Sequence, residues 1–314
     1  MDNIIEKIRS IGIIPVVSID DADRAEGLAQ ALIDGGIPCA EVTFRTEQGA
    51  EALRRIAKAF PDVLLGAGTV LSIEQAETAL KSGAKFAVSP GFNSKIVSYC
   101  QKIGLPIYPG CSNPTDMEAA LEMGLSTVKF FPAEQSGGVP FLKAVSAPYS
   151  NLTFIPTGGI NENNLKAYLG FKKIVACGGS WMVPPKLISE GRFEEIREKC
   201  QIAIKQMLGF RLCHIGINAE SQKNALEAAN LFKLIFGFDV DQGARSSFVS
   251  SEIEIMHQPY LGKYGHIAIE TSSIIRAIRY LKSKGVEFNQ ETSKEKSIYL
   301  RDEIAGFAVH LLEK

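Results

Sequence analysis

Lys129 lies inside the run Thr127-Val128-Lys129-Phe130-Phe131-Pro132, a short apolar stretch that reads as a strand. Val128, Phe130 and Phe131 strip water from its ammonium group, and burial disfavours the charged form. A neutral lysine amine attacks ketones and forms Schiff bases. The competing reading is a structural lysine in an ion pair, with Glu41 as its partner. Glu41, Thr43 and Arg45 alternate in the run 39–45, which turns all three to one side of a strand. Thr69 follows Gly68 at the end of another apolar run. Two glycine pairs, Gly158-Gly159 and Gly178-Gly179 with Ser180 after it, precede helical segments. Backbone N–H groups in such loops cradle phosphates, although plain turns use the same glycines.

The elements that must position these groups repeat one theme. Apolar strands are predicted at 13–19, 39–45, 64–70, 86–91, 107–111, 127–132, 153–159 and 174–180. Helical patterns fall between them, at 22–36, 47–60, 72–83, 93–104 and 115–124, several with a glycine stop. Eight near-equal βα units predict an α/β chain folded as a (β/α)8 barrel over 1–208, with a doubly wound open sheet as the alternative. In such a barrel the reactive groups sit at the C-terminal ends of the strands, where this chain collects its polar residues. A long helix over about 192–208 follows, and a domain boundary is expected at 209–210.

Composition narrows the function. The chain has 314 residues, 46% hydrophobic and 22% charged, with a net charge of −1. That is globular composition, and it lacks the basic excess that nucleic acid or a membrane surface requires. No apolar run is long enough to span a membrane. Residues 1–10 read as a short amphipathic helix without the apolar core or cleavage site of a signal peptide. Six cysteines with no C-x-x-C pairing read as free thiols of a cytoplasmic protein.

The strings EVTFRTE, GAGTV, SPG, KFFPAE, PTGGI and GGSW occur in this order. In them residues 1–205 resemble the class I aldolases that act on 2-keto-3-deoxy-6-phosphogluconate and 4-hydroxy-2-oxoglutarate. The resemblance implies that Lys129 is the Schiff-base lysine and Glu41 the general acid/base. It places Arg45 and Thr69 at the carboxylate of the keto acid. Gly158, Gly159, Gly179 and Ser180 fall at the phosphate end, with Thr157 close by. It also implies a homotrimer that needs no cofactor for the aldol step and releases pyruvate. Many relatives carry arginine near the end of strand one, where this chain has Val17-Ser18, so the preference between phosphorylated and unphosphorylated keto acids stays open. The alternative from another class is a barrel isomerase or epimerase on a sugar phosphate, with Lys129 as an electrostatic group.

From residue 211 the pattern changes to strand, helix and several strands, and then repeats after roughly 50 residues. Strand 211–217 precedes helix 222–236, and strand 264–270 precedes helix 273–284. Histidine opens both repeats, as His214 and His266, and the closing strands carry Glu254 and His310. Alternation puts these four opposite Ile215, Ile217, Ile253, Ile255, Ile267, Ile269, Val309 and Leu311. The aliphatic side is expected to pack on the helices and the polar four to share a concave face. His257 falls on the aliphatic side. Residues 211–314 resemble the glyoxalase, or vicinal-oxygen-chelate, fold: a smaller α+β domain of paired βαβββ modules. There the resemblance implies metal ligands at His214, Glu254, His266 and His310, the last replacing a usual glutamate. Three histidines and a carboxylate suit zinc, nickel or iron(II). A degenerate module that stiffens or oligomerises the barrel is the alternative. A third reading makes this half the enzyme, a metal-dependent isomerase or dioxygenase, and the barrel its scaffold.

Overall fold

A computed structural model describes residues 4–314 and divides the chain into two compact units, Met1–Met207 and Leu208–Lys314. The expected N-terminal helix is seen over Ile4–Ile11, and its first three positions lie outside the described residues. Among the described residues no helix is long and apolar enough to cross a membrane. None of the six cysteines, all among the described residues, is in a disulfide. Burial pushes the Cys100, Cys111 and Cys200 thiols up, to about 11, 12 and 12, which keeps them protonated and inert.

The first unit holds eight short strands: β1 (Ile13–Val17), β2 (Cys39–Thr43), β3 (Leu64–Gly68), β4 (Phe86–Val88), β5 (Ile107–Tyr108), β6 (Thr127–Phe130), β7 (Thr153–Pro156) and β8 (Cys177–Gly179). They are shorter than the apolar runs that announce them: β2 ends before Phe44 and β6 before Phe131. Every residue of β1, β2 and β3 is buried, as expected of parallel strands covered on both sides. A curled parallel sheet runs β5-β4-β3-β2-β1-β8, and β6 pairs with β7. Isolated parallel bridges join the two pieces at both seams, Gly110 to Lys129 and Thr157 to Gly178. Helices return the chain between strands, and local sequence starts them. Ser72, Asn93 and Asn113 each accept a backbone N–H at a helix N-terminus, and Pro114 occupies the first turn after Asn113.

The second unit begins with β9 (Arg211–Asn218), followed by the helix Gln222–Phe236 and by β10 (Val240–Gln242), β11 (Ser246–Val249) and β12 (Ile253–Met256). The order then repeats as β13 (Gly265–Thr271), the helix Ile274–Lys282, β14 (Phe288–Lys294), β15 (Ser297–Leu300) and β16 (Phe307–Glu313). One eight-stranded sheet results, β10-β11-β12-β9-β13-β16-β15-β14. Within each repeat the first and last strands pair in parallel, and the two first strands meet antiparallel at the centre. The duplication in sequence is thus a near two-fold arrangement in the sheet.

The aliphatic side packs only in part. Val249 and Ile255 form a buried cluster with Ala225 and Ala229 of the helix Gln222–Phe236. Ile217, expected on that packed side, is 40% exposed.

Candidate active site

Strands β2 and β6 bring Glu41 and Lys129 together. Both are nearly inaccessible, at 3% and 4% exposure, and Lys129 Nζ lies 3.3 Å from Glu41 Oε1. The register explains the approach. Lys129 sits beside Ile155 of β7 and bridges Gly110 after β5, so it is fixed from both neighbours. Glu41 sits beside Gly66 of β3, and Gly68 follows on the same strand. A Cβ on Gly68 would stand 2.3 Å from Glu41 Oε1, so only glycine leaves room for this carboxylate. The Phe131 ring caps the amine at 5.2 Å from its centroid. A buried amine and a carboxylate in contact can form an imine and move a proton beside it.

Arg45 and Thr69 also meet. Arg45 Nε donates to Thr69 Oγ1 at 3.3 Å. Strand β2 ends at Thr43, so Arg45 reaches this place from the following loop and not by strand alternation. Thr43 itself is spent locally, its hydroxyl donating to Val17 O at 2.8 Å. Thr69 has φ 59°, a left-handed conformation that β-branched residues rarely hold. Such strain is retained where the surroundings dictate a side-chain position.

The two glycine pairs differ. Gly158 and Gly159 form a turn with φ 100° and 80°, which needs glycine. Gly178 and Gly179 belong to strand β8 and serve close approach. A Cβ on Gly178 would stand 2.3 Å from Thr157 Oγ1, and one on Gly179 2.0 Å from the Trp181 ring. The expected helix starts behind both pairs are absent: the next helices, Leu165–Leu169 and Pro185–Ser189, begin several residues later and span five residues each. Ser180 is exposed after β8. Thr157 is buried, and its hydroxyl is without a hydrogen-bond partner among the described residues.

A second cluster occupies the face of the C-terminal sheet that alternation assigns to the four polar residues. Two adjacent rungs build it. In one, Tyr299, His310, Ala268 and His214 stand side by side; in the next, Ala308, His266, Gly216 and Glu254 do. The small residues Ala268 and Gly216 form the floor between the larger side chains. A Cβ on Gly216 would stand 2.0 Å from the His266 ring. His214 Nε2 and His266 Nε2 are 3.1 Å apart, and Glu254 Oε2 is 3.1 Å from His266 Nε2 and 3.4 Å from His214 Nε2. One ring nitrogen from each of His214, His266 and His310 lies within 4.8 Å of the others. Ser246 donates to the other Glu254 oxygen at 2.5 Å and fixes the carboxylate. Tyr299 stacks on His310 at 4.5 Å between centroids.

The electrostatics suit a cation. Burial raises the Glu254 carboxyl, but hydrogen bonds from His214, His266 and Ser246 outweigh it and hold the group well below the ordinary carboxylate range. Burial, reinforced by His266 and His214, pushes His310 down to about 3, so its ring is neutral and its lone pair free to ligate. Both His310 nitrogens are buried without a hydrogen-bond partner among the described residues, which is costly unless something else binds them. His257 stays outside the cluster and bonds Ser247 at 2.9 Å. The space-making role of Gly68 and the positions of Gly216, Ser246 and Tyr299 are not apparent from the sequence. Glycine beside a functional strand was the only available signal for two of them.

Comparison with known proteins accounts for the first unit. Residues 4–199 match the family model described as Aldolase: KDPG and KHG aldolase. A 2-dehydro-3-deoxy-phosphogluconate aldolase of Treponema pallidum is 50% identical over 196 residues, 62% of this chain and 93% of that protein. A KHG/KDPG aldolase of Escherichia coli is 37% identical over 201 residues, 64% of this chain and 94% of that protein. The crystal structure of KDPG aldolase from Legionella pneumophila, with pyruvate captured as a covalent carbinolamine, superposes with a TM-score of 0.62 at 38% identity. It covers 63% of this chain and 97% of that one. The chain belongs to the KDPG and KHG aldolase family, a family of class I lyases that need no cofactor.

Proposed function

We propose that the N-terminal unit, read as a (β/α)8 barrel, is a Schiff-base aldolase. It cleaves 2-keto-3-deoxy-6-phosphogluconate to pyruvate and glyceraldehyde 3-phosphate, or 4-hydroxy-2-oxoglutarate to pyruvate and glyoxylate. The buried Lys129–Glu41 pair carries this reading. Lys129 attacks the C2 ketone; the resulting carbinolamine loses water to an iminium ion. Glu41, directly or through a water, takes the proton of the C4 hydroxyl. The C3–C4 electron pair moves into the iminium to give an enamine, and the aldehyde leaves. Proton return to C3 and hydrolysis then free pyruvate and restore the amine. Arg45 and Thr69 hold the substrate carboxylate, and Thr157, Gly158, Gly159, Gly179 and Ser180 the distal group. The unpartnered Thr157 hydroxyl fits a contact completed by substrate. On the family resemblance, the enzyme works as a cytoplasmic homotrimer. Pyruvate release from each keto acid by the purified chain tests the reading; release from neither overturns it.

Gly68 belongs to this mechanism as the residue that makes room for Glu41. Gly68→Ala is expected to push the carboxylate off the amine and lower kcat about 10- to 100-fold, the usual penalty of a misplacement near 1 Å. Steady-state kinetics on either substrate checks it.

For the second unit, we infer a glyoxalase-like module that binds one divalent ion through His214, His266, His310 and Glu254. The buried, unpartnered His310 nitrogens favour this over a degenerate module. An ion held there would supply Lewis acidity, and three imidazoles with a single carboxylate suit zinc, nickel or iron(II). After loading and desalting, one ion per chain is expected, and His214→Ala should lower retention by tenfold or more. A chain that retains no ion after loading with each of the three metals contradicts the assignment.

A further inference from the structure

The loop after β6 and the turn after β7 are bound to each other beyond the last residues of their strands. Ala133 N–H donates to Thr157 O at 2.9 Å and Glu134 N–H to Gly158 O at 3.1 Å. The parallel pairing that holds Lys129 therefore continues into the segment proposed to hold the distal end of the substrate. The Glu134 side chain then lies across the turn. A Cβ on Gly159 would stand 2.6 Å from Glu134 Cγ and 2.7 Å from its Cβ. The other side of the turn is gripped as well. Gly159 O accepts from Asn161 Nδ2 at 3.1 Å and from Asn164 Nδ2 at 3.0 Å.

One contact ties this arrangement to the core. The Tyr168 hydroxyl donates to Glu134 Oε1. Tyr168 sits on the helix Leu165–Leu169, downstream of the turn, and is 1% exposed. Its phenol is among the largest fully buried side chains, yet its oxygen bonds the carboxylate of a residue that is itself exposed. Burial, then the hydrogen bond and charge of Glu134, raise the phenol above its ordinary range, so it stays a donor. Gly138 clears the space beside this bond: a Cβ there would meet Glu134 Oε1 and Tyr168 Oη, each at 3.1 Å. A charge-assisted bond from a rigid donor fixes the orientation of an otherwise mobile glutamate.

We propose that Tyr168, acting through Glu134, is a positioning residue for the Gly158-Gly159 turn, and that it sets affinity for substrates carrying a distal phosphate. The proposal rests on the aldolase reading. It separates two ends of the substrate. Lys129 and Glu41 act at C2 and C4, common to both keto acids, whereas the turn is assigned to the distal group that only the longer, phosphorylated one carries. Loosening the turn should therefore weaken binding of the phosphorylated substrate and leave imine chemistry intact.

The test compares full-length Tyr168→Phe with the unmutated chain on 2-keto-3-deoxy-6-phosphogluconate and 4-hydroxy-2-oxoglutarate. Tyr168→Phe keeps the ring in the core and deletes one hydroxyl. The expected result is a KM about tenfold higher for the phosphorylated substrate, the change produced by about 1.4 kcal/mol. Its kcat and the KM for the shorter substrate should stay within about twofold, and inhibition by inorganic phosphate should weaken in parallel. Glu134→Gln keeps an acceptor for the phenol and is expected to retain a near-normal KM, whereas Glu134→Ala should behave as Tyr168→Phe does. Glu134→Ala also gives the same readout if Tyr168→Phe fails to fold. Equal KM increases on both substrates, or none on the phosphorylated one, overturn the proposal while leaving the aldolase reading intact. An unmutated chain that releases pyruvate from neither substrate overturns both.

Discussion

Lys129→Arg is expected to abolish pyruvate release, lowering kcat/KM on the order of 10⁴-fold or more. Arginine keeps a cation against Glu41 but stays protonated and forms no stable imine with a ketone. The loss amounts to at least about 5 kcal/mol of transition-state stabilisation, at about 1.4 kcal/mol per factor of ten. The choice of arginine matters because the pair is buried. Lys129→Ala would leave the Glu41 carboxylate in the interior without its partner, and breaking a buried pair costs about 3–5 kcal/mol of stability. With alanine alone, loss of activity and loss of fold would be confounded. Steady-state pyruvate release together with thermal unfolding separates them: Lys129→Arg should unfold within a few degrees of the unmutated chain and still be inactive.

Glu41→Gln carries the second-largest expected effect, a fall in kcat of about 10²- to 10⁴-fold, the range for a lost general acid/base. Glutamine preserves the shape beside Gly68 and can still accept a hydrogen bond from Lys129, but it takes no proton from the C4 hydroxyl. The attack of Lys129 on the ketone and the cleavage of C3–C4 are thereby separated. Under borohydride, Glu41→Gln should still give a covalent adduct with pyruvate, formed more slowly, while turnover nearly stops. Equal loss of trapping and turnover would assign Glu41 to imine formation instead.

Much of this site was legible in the sequence because its residues contradict their surroundings. Lys129 stands among the apolar Val128, Phe130 and Phe131, and Glu41, singled out by strand alternation, lies 3.3 Å from it. The eight βα units follow from periodicity, since helix and strand differ in the spacing of apolar positions. Strand lengths did not follow, because apolar runs continue past the regular ladder: in the run 174–180 only Cys177–Gly179 form a strand, while Ile174 makes an isolated bridge to Phe154. Arg45 was placed by extending alternation past Thr43, where the strand had already ended. The glycine pairs looked alike in sequence because composition does not record φ. One is a left-handed turn, and the other clears space for Thr157 and Trp181.

In the second unit the two-fold repeat made the four polar positions readable, since a duplicated strand pattern fixes which residues share a face. The groups that orient them were not readable. Ser246 meets Glu254 from β11, and Tyr299 meets His310 from β15. Neither position is marked by the repeat, and register across strands is a property of the assembled sheet.

A covalent imine at Lys129 is the step on which the proposed reaction depends. Incubation with pyruvate and borohydride, then peptide mass mapping, tests it most directly. One reduced pyruvate adduct per chain is expected, located on Lys129 and absent from Lys129→Arg. An adduct on another lysine, its persistence in Lys129→Arg, or no adduct from an active enzyme would contradict it.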